Sequence, residues 1–277
     1  KFGPSAPKLY RGWQLIKKFG CFGCHEITGF DGARPIGPDL RLEPRTAAEK
    51  AAIDANPDQV AGKMRKVGPS LEHVGQKTSR AWLEAWIKEP RSFRNNTRMP
   101  HFFSKAHELY DENNTALKND PTDDWQPVEI AAIASYLLKN SSNGKLDEPR
   151  SGYQPDAENG RRLFSRRGCL ACHSHEAFPD PEQKLSATFG PDLTRVASKI
   201  TANRFNWLYT WVRDPTRHHP RTRMPDLFLD PEGEGADYVD PAADVAAFLL
   251  KPRAAEKQYA ETIGVADEVT FNADDPL

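Results

Sequence analysis

All four cysteines of the 277-residue chain sit in one arrangement that occurs twice: Cys21-Phe-Gly-Cys24-His25 and Cys169-Leu-Ala-Cys172-His173. Cys-x-x-Cys followed at once by histidine is the attachment signature for c-type haem. Two cysteines three apart on a helical turn can each form a thioether to a vinyl-derived carbon of one porphyrin. The histidine then falls beneath the iron as proximal ligand, and axial ligand identity and burial set the potential. Other chemistries also use paired cysteines. Zinc ribbons place their pairs roughly 15–20 residues apart, whereas these stand 148 apart. A thioredoxin-like redox pair needs a βαβ context, and no segment here alternates as a strand does. Disulfides across three residues would be strained and would leave the histidines unexplained. The expected cofactors are two covalently bound haem c groups, with His25 and His173 as iron ligands.

The elements that must position these groups are duplicated too. Gly12-Trp-Gln-Leu15 before the first motif matches Gly160-Arg-Arg-Leu163 before the second. Gly68-Pro69-Ser-Leu71-x-x-Val74-x-x-Lys77 matches Gly190-Pro191-Asp-Leu193-x-x-Val196-x-x-Lys199. Trp82-Leu83-x-x-Trp86 and its Pro90 match Trp207-Leu208-x-x-Trp211 and its Pro215. Thr97-Arg98-Met99-Pro100 matches Thr222-Arg223-Met224-Pro225, and the apolar run ending at Lys139 resembles the one ending at Lys251. Each copy carries three helix signals: one before the cysteines and ending at a glycine, one bearing the paired tryptophans and stopping before proline, and one over 128–139 or 242–250 with Pro127 or Pro241 near its first turn. The fold class is all-α. Domain 1 spans 1–145 with a surface insertion at about 41–66 and a short helix over 46–55. A linker at 146–155 follows within a polar stretch, then domain 2 over 156–252 and a polar tail over 253–277.

On these residues, each half resembles a class I cytochrome c domain, over about 8–140 and 156–251. The resemblance implies two tandem helical domains, each built around one covalent haem. It implies a methionine on the distal loop as sixth ligand. Of three methionines, Met99 and Met224 occupy identical contexts and are expected to be metal ligands, while Met64 lies in the unmatched insertion. It also implies that the proline of Gly-Pro-x-Leu offers its carbonyl to the proximal histidine. Pro191 fits in the second copy. In the first, Pro38 and Pro69 compete, and the longer downstream match favours Pro69.

Other residues have bland and sharp readings. Arg98 and Arg223 are either solvated or paired with a haem propionate. His73, His101 and His107 could replace Met99 as ligand, but positions 195 and 226 of the second copy carry no histidine, which favours surface roles. His218 and His219 read as surface residues near a haem edge. Trp82, Trp86, Trp207 and Trp211 read as core. Arg161, Arg162, Arg166 and Arg167, and Lys17 with Lys18, form basic faces suited to helix solvation or to docking an acidic redox partner.

Charge is nearly balanced, at −1 net, which gives no support to nucleic-acid binding. No apolar run approaches the roughly 20 residues of a membrane span. The expected function is electron transfer between redox partners, as a carrier or as a subunit of a respiratory quinol-oxidising or oxidase complex. The chain is then no enzyme in itself; the alternative is a dihaem peroxidase-like enzyme. Haem attachment implies a periplasmic or otherwise extracytoplasmic location, with membrane association only through a partner or a removed anchor.

Overall fold

The computed structural model describes residues 6–30, 46–55, 66, 68–94, 96–103, 122–179, 190–200, 204–219 and 222–251. Of the described residues 54% are helical and none is in a strand, so the fold is all-α; a single bridge joins Glu232 and Val239. The chain divides into two compact units. One comprises residues 1–74, 124–142 and 276–277, the other 75–123 and 143–275. These borders cut across the first copy of the repeat.

In the first unit, α1 (Pro7–Phe19) starts with proline in its first turn and ends at Gly20, in the left-handed conformation at φ 69°. The Gly20 N–H reaches back to the carbonyls of Ile16 and Lys17, a glycine C-cap. The next helical turn, α2 (Cys21–Cys24), follows without a linker, so the cap sets the direction of the cysteine motif. α3 (Ala47–Ala55) is the short helix of the insertion. α4 (Val74–Lys77) straddles the border between the units.

The long helix α7 (Thr122–Lys139) begins six residues before the 128–139 expected from sequence, and Pro127 lies inside it. Proline is tolerated there because the ladder bond it removes would run to position 123, in the first turn, where the ladder is only beginning. α1 crosses α7 at Gly12, where a Cβ would collide with the Ala132 carbonyl oxygen. Phe30 stacks on Trp13 and Phe22 and meets the edge of Tyr136, whose hydroxyl donates to the Thr28 carbonyl at 2.9 Å.

In the second unit, α5 (Arg80–Lys88) carries the first tryptophan pair and is capped by Ser79, which accepts from the Trp82 N–H. α6 (Pro90–Phe93) follows. α8 (Ala157–Arg166) is capped by Asp156, which accepts from the N–H groups of Glu158 and Asn159. α9 (Val196–Lys199) and α10 (Phe205–Arg213) lead to α11 (Pro241–Leu250), nearly all of which is buried.

The core packs Phe164, Trp207, Leu208, Tyr209, Val212 and Phe248 around α11. Two buried acids serve it. Asp240 caps α11 and accepts from the Tyr209 hydroxyl at 2.8 Å. Asp244 accepts from the Tyr153 hydroxyl, the Asp156 N–H and Asn159 Nδ2, at 2.7–2.8 Å. Burial and the Asp240 carboxylate raise the Tyr209 pKa, so the phenol stays a donor. α8 crosses α11 at Gly160, where a Cβ would collide with the Asp244 carbonyl oxygen, repeating the crossing at Gly12.

Gly160→Ala is expected to cost about 1–3 kcal/mol or more through overpacking. Gly152→Ala has open space but a φ of 82° and should cost only the left-handed strain, about 1–2 kcal/mol. Denaturant unfolding of the two variants checks the order.

Candidate functional site

Each Cys-x-x-Cys-His motif is held by its Gly-Pro block through backbone bonds. The Gly68 N–H donates to the Cys24 carbonyl at 2.8 Å and the Leu71 N–H to the Glu26 carbonyl at 2.9 Å. In the second copy Gly190 donates to Cys172 at 2.8 Å and Leu193 to Ser174 at 2.9 Å. A Cβ at Gly68 would collide with the His25 ring, and one at Gly190 would lie 2.6 Å from both the Cys172 carbonyl oxygen and His173 Cε1. Only glycine lets the two segments approach this closely.

The clamp delivers a carbonyl to each imidazole. His25 Nδ1 lies 2.7 Å from the Pro69 oxygen and His173 Nδ1 2.8 Å from the Pro191 oxygen. Nδ1–H donates, which leaves Nε2 with the lone pair a metal needs. Pro69 is beside His25; Pro38 lies outside the described residues, as do Met64 and His107. Burial lowers both histidine pKa values, against the opposing pull of the proline carbonyls. Lys66 lowers His25 further, and its Nζ donates to the His25 carbonyl at 3.1 Å. Arg94 does the same to His173, with Asp192 opposing it.

None of the four cysteines is in a disulfide. Burial pushes the Cys21 and Cys169 thiols up to about 11. They are therefore protonated at neutral pH, unlike the thiolates of redox and nucleophilic sites. Among the described residues, no three His, Cys, Asp or Glu side chains converge on a point that could hold a metal ion.

The methionines sit on a second repeated device. Trp86 Nε1 donates to Met99 Sδ at 2.9 Å and Trp211 Nε1 to Met224 Sδ at 3.1 Å. The Met99 and Met224 N–H groups donate to the Thr97 and Thr222 hydroxyl oxygens at 3.2 and 3.1 Å. Within each pair the indoles stack, Trp82 on Trp86 at 5.2 Å and Trp207 on Trp211 at 5.5 Å. From the sequence these tryptophans read as core, and the structure adds a donor role for Trp86 and Trp211. Its only signal was the equal spacing from tryptophan to methionine in the two copies. His25 belongs to the first unit and Met99 to the second, whereas His173 and Met224 share the second.

The remaining residues take separate places. Arg98 and Arg223 are exposed. His101 Nε2 is 2.9 Å from Glu89 and 3.1 Å from the Lys88 carbonyl, and His73 Nδ1 is 2.9 Å from the Ser142 carbonyl. His218 is partly buried, with its ring 4.6 Å from that of Trp207. Of the basic residues, Arg161 lies over Phe178, Arg162 donates to Asn159, Arg167 pairs with Glu232, and Lys17 lies over Trp13.

No protein-family model, curated protein or solved structure matches the chain.

Trp211→Phe keeps a ring and removes the donor to Met224. It should cost about 1 kcal/mol, the net worth of one hydrogen bond, and Trp86→Phe a similar amount. The readout is a lower denaturation midpoint at unchanged slope.

Proposed function

We propose that the chain is a dihaem electron-transfer protein made of two tandem cytochrome c-like domains. One haem c is attached at Cys21 and Cys24, the other at Cys169 and Cys172. The observation that carries this reading is the proximal device found in both copies: a Cys-x-x-Cys-His motif whose histidine donates Nδ1–H to a proline carbonyl within 2.7–2.8 Å. Such an outer contact fixes the tautomer and ring orientation of a metal-ligating histidine. Cysteines in no disulfide, histidines whose Nδ1 is already bound and the close approach that only glycine permits fit a thioether-linked, histidine-ligated group.

A bound haem supplies one-electron chemistry at its iron. The protein's part is to hold and tune it. His25 and His173 would be the proximal ligands and Met99 and Met224 the distal ones, a pairing that raises the potential. Trp86 and Trp211 orient the two sulfurs by their N–H groups. No substrate bond is made or broken, so the protein contributes potential and docking geometry. The equivalence of the two Trp–Met pairs supports two like sites over a division into a carrier haem and a catalytic one.

Redox proteins are the partners this function requires, with a quinol-oxidising or oxidase complex as the respiratory setting and an extracytoplasmic location. No helix among the described residues is long and apolar enough to cross a membrane.

The test is the pyridine haemochrome spectrum with intact mass. Two haem c groups per chain are expected, with one remaining after Cys169→Ala/Cys172→Ala. The oxidised protein should show the far-red methionine–iron charge-transfer band at an intensity for two haems, falling by half in Met224→Leu. A chain exported through a haem-attachment system that still carries no covalent haem would falsify the reading.

A further inference from the structure

Two partly buried lysines come together in the second unit. Lys77 ends α4 and Lys199 ends α9, at the same place in the repeated Val-x-x-Lys block. Each reaches across to the tryptophans of the other copy. Lys77 Nζ is 4.7 Å from the Trp207 ring and 5.8 Å from Trp211, and Lys199 Nζ is 4.6 Å from Trp82 and 5.9 Å from Trp86. Each amino group acts on the other, and Arg94 adds a third positive charge beside Lys199.

Burial drives Lys77 down to about 8 and Lys199 well below its ordinary range. Among the described residues the groups that act on this pair are the lysines themselves and Arg94, with no carboxylate. A tryptophan face attracts a cation but does not neutralise it. Two amines placed alike by the repeat, with a guanidinium beside one of them, form the complement of an anion.

We propose that Lys77 and Lys199 bind a carboxylate, and that this carboxylate is a propionate of the haem attached at Cys169 and Cys172. A residue of the first copy thereby serves the haem of the second. The inference rests on the haem reading above. It follows from where Lys77 lies: on the tryptophan pair that holds Met224, in the unit that also contains Cys169, Cys172 and His173. A c-type haem is bound through its vinyl edge and leaves two carboxylates to be neutralised.

The test compares the wild-type chain, Lys77→Met and Lys77→Arg by spectroelectrochemical titration. Cys21→Ala/Cys24→Ala chains carry one haem and identify which potential belongs to the second. Loss of a positive charge beside a haem favours the ferric state. Lys77→Met should therefore lower the potential of the second haem more than that of the first, and Lys77→Arg should restore it. With haem labelled by ¹³C at its propionates, the redox-difference infrared bands of those carboxylates should shift in Lys77→Met.

An unmoved second potential, or a larger shift in the first haem, overturns the proposal. Unshifted labelled bands overturn it in favour of a protein carboxylate. An effect that appears only when phosphate is added overturns it in favour of a free anion. Absence of haem in the pyridine haemochrome spectrum would overturn the haem reading itself, so the two failures are told apart.

Discussion

A histidine can present one nitrogen to a metal in a fixed direction only when its other nitrogen is tied down. Here the tie is a backbone clamp. Two N–H···O bonds draw each Gly-Pro block against the segment around its histidine, and the proline carbonyl closes on Nδ1. Because the clamp is made of main chain, it demands little of the sequence: a glycine where there is no room for a Cβ, and a carbonyl at the next residue. That explains how the first copy absorbs its insertion. His25 and Pro69 are 44 residues apart, His173 and Pro191 only 18. The added closure entropy is about 0.8 kcal/mol, since it grows only as the logarithm of loop length. A clamp of several hydrogen bonds offsets that, and the geometry of the two copies agrees to about a tenth of an ångström.

The distal devices follow the same economy. One indole N–H aims one sulfur, and a threonine two residues before the methionine holds its backbone. The stacked tryptophan pairs supply the rigid surface from which this is done, and rigid aromatic surface is also what the crossing lysines rest on. That resting place alone does not account for them. A cation–π contact at a desolvated site is worth about 2 kcal/mol, while burying an ion costs several kcal/mol even after relaxation. The lysine pair is thus a feature the fold bears at a cost, unlike the buried Asp240 and Asp244. Each of those receives two or more hydrogen bonds and helps to position α11.

Local features of this chain were legible from residue order. The helix ends at Gly20, Glu89 and Asp214 follow from glycine and proline; the haem-type motifs and the Thr-Arg-Met-Pro loops are explicit in the letters. Tertiary choices were not. Pro38 and Pro69 stand in similar local contexts, and only the clamp brings Pro69 to His25. The start of α7 was hidden by Pro127, whose effect depends on how near the helix end it falls. His218 reads as a surface residue until Trp207 is found against it. Lys77 and Lys199 were visible as a matched pair, yet nothing in a linear pattern says that each side chain crosses to the other copy. The compact units make the same point, since they do not follow the borders of the repeat.

Duplication leaves one problem for an electron carrier with two sites. If both irons take the same ligands, held by the same hydrogen bonds, ligation cannot separate their potentials. What differs between the copies is the charge around the histidines. His25 has Lys66 beside it, while His173 has Arg94 set against Asp192. A positive neighbour disfavours the ferric state, so on the haem reading Lys66 biases the first site toward reduced iron, as Lys77 and Lys199 bias the second. On the haem reading, the insertion that supplies Lys66 is then more than a tolerated loop. It gives the first site its own electrostatic bias toward reduced iron.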